Sequence, residues 1–121
     1  MAARILLVDD EEVVIKSYLR ILGGGDYQVE AAYGGREALR KIEENPYDVV
    51  ILDIMMPEMG GLEVLHRVKQ MRPNAAVIMV TGLPENATVA EAKQLGACDY
   101  ISKPFEPAEL KLIVRRALEQ R

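Results

Sequence analysis

A parallel α/β fold, with five strands in one sheet and helices on both of its faces, is the class this sequence predicts. Three observations predict it. Short apolar runs alternate five times with longer stretches that carry apolar residues at helical spacing. Glycines and prolines punctuate the boundaries between these stretches. No linker or low-complexity tract interrupts the series, so residues 1–121 are expected to form one domain. Parallel strands need long crossovers, the crossovers here are helical, and such connections are almost always right-handed.

Each element has its own signature. Ile5-Leu6-Leu7-Val8 is a continuous apolar run, as expected of a strand buried on both faces. Glu11 and Glu12 suit the positive end of a following helix, which carries Val14, Tyr18, Ile21 and Leu22 and stops at Gly23-Gly24-Gly25. Tyr27 to Ala32 reads as a second strand, and Gln28 and Glu30 give it one wetter face, as on a sheet edge. Gly34-Gly35 precedes a short helix with Ala38, Leu39 and Ile42, ended by Asn45-Pro46 because proline breaks the ladder. Val49-Val50-Ile51-Leu52 is the clearest strand and runs into Asp53. Gly60-Gly61 opens a helix carrying Leu62, Leu65 and Val68, closed by Pro73. Val77 to Val80 forms the fourth strand and ends at Thr81. A weaker helix is expected from about Glu85 to Leu95, with Gly96 as its stop. Asp99-Tyr100-Ile101 is the fifth strand. Leu110, Ile113, Val114, Ala117 and Leu118 make the stripe of the last helix.

Composition narrows the functional classes. A 121-residue chain with 50% hydrophobic and 28% charged residues can bury a core. No apolar run approaches the roughly 20 residues of a membrane span. The start Met1-Ala2-Ala3-Arg4 lacks a signal-peptide layout. A single cysteine, Cys98, excludes an internal disulfide and suits a reducing compartment. The net charge of −4 argues against direct nucleic-acid binding by this domain. A cytoplasmic domain with no membrane contact is expected.

In such a sheet, ligands bind outside the carboxyl ends of the strands. Asp9 and Asp10 follow the first strand, Asp53 the third and Thr81 the fourth, and Lys103 lies just beyond the fifth. Three carboxylates, a hydroxyl and an ammonium are thus expected on one rim. Two carboxylates about 4 Å apart repel by about 4 kcal/mol at an effective dielectric near 20. A cluster of three needs a cation, a shared proton or an ammonium. Hard carboxylate oxygens suit Mg²⁺, which keeps waters and takes phosphate oxygens as further ligands. Taken singly, Asp9-Asp10 or Thr81 would be a helix cap, Asp53 a turn former and Lys103 a solvated side chain. Coincidence at one end of successive strands favours a site.

These residues resemble a family. Asp9-Asp10, Asp53, Thr81 and Lys103-Pro104, with the stretch Asp53-Ile54-Met55-Met56-Pro57-Glu58-Met59-Gly60-Gly61, are similar to the receiver domains of two-component response regulators. The resemblance covers essentially the whole chain and implies a doubly wound, flavodoxin-like (βα)5 fold with strand order 2-1-3-4-5. It implies that Asp53 is the phosphoacceptor and forms an acyl phosphate. It further implies that Asp9, Asp10, Asp53 and the Met55 carbonyl hold Mg²⁺ (or Mn²⁺). Lys103, Thr81 and the Gly82 N–H would meet the phosphoryl oxygens, and the bond before Pro104 would be cis. The implied donors are a sensor histidine kinase, a phosphotransfer protein or a small phosphodonor. An output domain or effector would read the result, with a phosphorylation-dependent dimer as one form of it. Such a domain catalyses only its own phosphorylation and dephosphorylation.

The resemblance also implies a switch. Thr81 would move toward the phosphoryl group and Tyr100 would rotate into the vacated space. The readout would be the face of the fourth helix, fifth strand and fifth helix. Met55 and Leu83, each two residues past a site residue, flank the centre, and neither side chain can orient an attacking water. Slow self-dephosphorylation is expected.

Other classes remain in view. An aspartate-nucleophile phosphohydrolase usually carries a second aspartate where Met55 stands. A flavin module needs a phosphate-binding turn where Asp9-Asp10-Glu11 stands. A phosphate-independent scaffold would not need the acidic cluster. Gly23-Gly24-Gly25 follows a helix, which argues against a phosphate loop. His66 is expected to be exposed, Cys98 to be a small packing residue, and Met55, Met56 and Met59 to belong to the loop and core.

Overall fold

The computed structural model describes residues 2–82 and 86–120. Five strands and five helices alternate: β1 (Ala3–Val8), α1 (Glu12–Leu22), β2 (Tyr27–Ala32), α2 (Gly35–Glu44), β3 (Val49–Asp53), α3 (Gly61–Met71), β4 (Ala76–Thr81), α4 (Asn86–Gln94), β5 (Asp99–Ser102) and α5 (Pro107–Glu119). The strands form one parallel sheet in the order β2-β1-β3-β4-β5, the order the resemblance implied.

Alternation along each strand divides the core into two layers. Leu6, Val8, Val50, Leu52, Val77 and Met79 point to one side, where Ala38 and Ile42 of α2, Val64, Leu65 and Val68 of α3 and Ala92 of α4 cover them. Ile5, Leu7, Val49, Ile51, Ile78, Val80 and Ile101 point to the other, under Ile15, Tyr18 and Leu22 of α1 and Leu110, Ile113, Val114 and Ala117 of α5. Each fully buried aliphatic side chain contributes about 1.5–3 kcal/mol of transfer free energy. The central strands β3 and β4 are buried at every position, as continuous apolar runs require.

β2 is an edge strand, and its polar positions are used there. Glu30 accepts a hydrogen bond from Arg4 at 2.8 Å and another from the Tyr47 hydroxyl at 3.0 Å. The Arg4 guanidinium also sits 4.9 Å from the centre of the Tyr47 ring. The hydrogen bond from Arg4 lowers the Glu30 pKa against the opposing effect of burial.

Several expectations need correction. The buried stripe of α1 is Ile15, Tyr18 and Leu22, with Val14 and Ile21 only half-buried beside it. Val64 is buried in α3, whereas Leu62 is half-buried. α4 begins at Asn86, and Leu83 and Glu85 lie outside the described residues. Cys98 is exposed at the foot of β5, not packed. His66 is exposed. Met55 is exposed, while Met56 and Met59 rest on the core.

Candidate functional site

β1 and β3 are neighbours in parallel register, with Val8 opposite Leu52. The next residues along, Asp9 and Asp53, therefore stand side by side at the carboxyl rim. Oxygens of Asp9, Asp10 and Asp53 all lie within 4.8 Å of one another. Asp9 is fully buried, Asp53 is buried and Asp10 is exposed. One Asp9 oxygen accepts the Glu11 N–H at 2.9 Å, just before α1, where a carboxylate also faces the positive end of the helix. The other accepts from Lys103 Nζ at 3.0 Å. The same ammonium is 3.7 Å from Asp53 Oδ2.

Lys103 reaches the site because its backbone is fixed there. β5 pairs with β4 up to Thr81 opposite Ser102, and the Lys103 N–H donates to the Thr81 carbonyl at 2.8 Å. The Lys103–Pro104 peptide is cis. Thr81 is buried and Gly82, the next residue, is exposed.

The loop after Asp53 is held equally closely. The Met55 N–H points at Asp53 Oδ1 from 3.4 Å. The Ile54 N–H donates to the Val80 carbonyl at 3.0 Å, and the Ile54 carbonyl accepts the Gly61 N–H at 2.9 Å. Gly61 thus presses on the end of β3 at Asp53. A Cβ there would collide with the Asp53 carbonyl oxygen and come within 2.7 Å of Ile54 Cα. Glu58 turns the loop with φ of 67°, a left-handed conformation unusual for glutamate.

The electrostatics follow from this packing. Burial, then the charge of Asp9, pushes the Asp53 carboxyl up to about 6, with Lys103 and the Met55 N–H pulling the other way. Burial depresses the Lys103 ammonium, but its bond to Asp9 and the charge of Asp53 outweigh that and raise its pKa above the ordinary lysine value. Three carboxylates against one ammonium leave an excess of negative charge. Hard, crowded oxygen donors of this kind fit a small divalent cation better than a soft metal.

The family of the chain is now decided. A family model described as "Response regulator receiver domain" matches residues 5–115. The chain belongs to the response regulator receiver domain family. Among curated relatives of this receiver, the chemotaxis protein CheY of Thermotoga maritima is 37% identical over 111 residues, which span 91% of this chain and 92% of CheY. The regulatory protein AtoC of Escherichia coli is 40% identical over 116 residues, 96% of this chain but 25% of AtoC. The receiver spans half the length of the Bacillus subtilis transcriptional regulator PhoP, at 35% identity. A solved CheY-like receiver from Methanospirillum hungatei superposes with a TM-score of 0.95 at 34% identity, covering 99% of this chain and 96% of that one. The receiver therefore acts in two-component signalling. Among its described residues, no helix is long and apolar enough to cross a membrane.

Of the residues singled out in the sequence, Asp9, Asp10, Asp53 and Lys103 converge around one point, and Thr81 ends the adjacent strand. Tyr100 lies on β5 opposite Met79, half-buried against the α2–α4 layer. Met55 meets Asp53 through its backbone while its side chain is 65% exposed. Gly61 stood in the motif, but its close approach to Asp53 is a property of the folded loop. Tyr18 was read only as a residue of the α1 stripe, and its stack on Phe105 was not anticipated. A polar hydroxyl at a position of the α1 stripe was the signal available for Tyr18.

Proposed function

We propose that this receiver takes a phosphoryl group on Asp53 and passes the change to an output partner or attached domain. What supports this is the setting of Asp53 on a central strand, beside two further carboxylates and 3.7 Å from the Lys103 ammonium. An Asp53 oxygen attacks phosphorus, the bond from phosphorus to the donor breaks, and the donor leaves with that electron pair. An acyl phosphate results. Lys103 neutralises charge gathering on the equatorial oxygens. Thr81 and the Gly82 N–H supply hydrogen bonds to the same oxygens. Asp9, Asp10, Asp53 and the Met55 carbonyl are the proposed holders of Mg²⁺ or Mn²⁺, which supplies charge neutralisation of the transferring group. The catalysis is confined to the domain's own phosphorylation and dephosphorylation.

The phosphodonors proposed are a sensor histidine kinase, a phosphotransfer protein or a small acyl phosphate. The outputs proposed are an effector protein or an attached domain, in keeping with relatives named as a regulatory protein and a transcriptional regulatory protein that are about four times and twice as long. Residues 1–121 are proposed as one receiver unit acting in the cytoplasm, in keeping with a lone free cysteine. Direct binding of nucleic acid or membrane is not part of the proposal. Thr81 and Tyr100 form the proposed switch toward α4, β5 and α5, with dimerisation through that face as one readout. Moving such an equilibrium from 1:99 to 99:1 takes about 5.5 kcal/mol, within reach of a few charge-assisted hydrogen bonds.

The test is intact-mass measurement after incubation with acetyl phosphate and Mg²⁺, beside Asp53→Asn. A Mg²⁺-dependent phosphoryl adduct on the wild type alone is expected. No adduct, under conditions that label a control receiver, would leave a phosphate-independent scaffold as the better account.

A further inference from the structure

α1 runs back along the sheet from the acidic rim, and helical side chains lean toward the helix N-terminus. Tyr18 of α1 therefore reaches up toward that rim. Its ring stacks on Phe105, with centroids 5.5 Å apart and planes within 6°. Phe105 lies two residues beyond Lys103, on the same turn. It also lines an open apolar groove of about 590 Å³ with Val13, Val14, Ile21, Pro104 and Pro107. The buried support under the Phe105 ring is thus Tyr18, which is 1% exposed.

Tyr18 stands close to the chemistry as well as to the turn. Burial, followed by the charges of Asp9 and Asp53, pushes its phenol pKa up. Its hydroxyl has no hydrogen-bond partner among the described residues. An orphan hydroxyl adds nothing to a stack, so the aromatic ring is the part that works on Phe105.

We propose that Tyr18 is a positioning residue for Lys103: its ring fixes Phe105, and through Phe105 the turn that holds the ammonium against Asp9 and Asp53. This rests on the reading of Lys103 as the cation that meets the incoming phosphoryl group. Tyr18 touches no reacting atom. It sets the place of one that does.

The experiment compares rates of labelling by acetyl phosphate and Mg²⁺ for the wild type, Tyr18→Phe, Tyr18→Leu, Lys103→Ala and the Tyr18→Leu/Lys103→Ala double variant. Tyr18→Leu should label about tenfold more slowly, the scale of a small misplacement of a catalytic group. Tyr18→Phe should keep the wild-type rate. In the Lys103→Ala background Tyr18→Leu should add no further slowing, because the two act through one group. Should Tyr18→Leu fail to fold, Phe105→Leu removes the same stack from its partly exposed side and carries the comparison. A separate readout needs no phosphodonor: the Lys103 Cε resonance should match the wild type in Tyr18→Phe and move in the leucine variants. Wild-type labelling in Tyr18→Leu, slowing in Tyr18→Phe, equal slowing with and without Lys103, or an unmoved Lys103 resonance would each overturn the positioning role. An unlabelled wild type whose Lys103 resonance still responds to the leucine variants would instead count against phosphoryl acceptance by Asp53.

Discussion

The Lys103 ammonium lies 3.0 Å from Oδ2 of Asp9, a carboxylate with no exposed surface. A buried charge left without its partner is strongly destabilising, by about 3–5 kcal/mol where both members are inside. Lys103 retains 21% side-chain exposure, so the effect here belongs below that range. Lys103→Ala is expected to cost about 2 kcal/mol in chelator, read from urea unfolding. Added Mg²⁺ should recover part of the loss, since a cation at the carboxylates replaces the missing charge. An unchanged urea midpoint would mean that water already compensates Asp9.

Asp53 gives the metal-free protein a pH dependence whose sign can be worked out. Its carboxyl stands at about 6 in the fold against an ordinary value of 3.8. Between those values the folded state binds more protons than the unfolded one, so stability falls as pH rises through the window. About two pH units correspond to roughly 2–3 kcal/mol. Denaturation in chelator at pH 4 and pH 7 should therefore cost the wild type stability on that order relative to Asp53→Asn, which carries no such charge. Parallel curves for the two proteins would refute a raised Asp53.

Much of this was legible in the sequence, for physical reasons. Strands buried on both faces must be continuous apolar runs, so β1, β3 and β4 announced themselves, as did the acidic and basic residues at their ends. β2 revealed its edge position through Gln28 and Glu30. Strand order was not in the periodicity, because alternation fixes which face a residue takes and not which strand lies beside it. The buried face of α1 was misjudged by one residue, Ile15 for Val14, since neighbouring apolar positions differ by a fraction of a turn. Contacts through backbone, such as Gly61 against Asp53, leave no side-chain signature at all. Neither does a stack between residues 18 and 105, which only the fold brings together.

Gly61 makes that backbone contact testable. A methyl group there would strike the Asp53 carbonyl oxygen, and both partners are main chain, which cannot swing aside. Gly60 is the internal control, because a Cβ there meets only the Ile54 carbonyl oxygen at an ordinary 3.9 Å. Gly61→Ala is expected to lose on the order of 2 kcal/mol, as overpacked sites do, and to label more slowly with acetyl phosphate. Gly60→Ala should change thermal stability by no more than about 0.5 kcal/mol. Similar behaviour of the two variants would show that the loop yields.

Tyr100 is expected to separate acceptance of phosphate from its readout. Its side chain rests on the α2–α4 layer, so Tyr100→Ala should still take up label at close to the wild-type rate. What it should lose is the phosphorylation-dependent change on α4, β5 and α5. Amide exchange of that face, with and without phosphodonor, measures this directly. A response identical to that of the wild type would remove Tyr100 from the switch.

Met55 is expected to bear on how long the proposed phosphorylated state lasts. Its N–H is tied toward Asp53, and the residue is 65% exposed beside the site. A thioether cannot hold an attacking water in line, whereas an amide can donate to it or accept from it. One such hydrogen bond is worth about 1 kcal/mol, or roughly a five- to tenfold change in rate. Met55→Asn is therefore expected to shorten the lifetime of the acyl phosphate by about that factor, followed by loss of the mass adduct after the phosphodonor is removed. The exposed position means that stability should stay within about 0.5 kcal/mol of the wild type, so a faster decay would come from the water and not from a loosened fold. An unchanged decay would indicate that access to phosphorus is limited elsewhere on the rim.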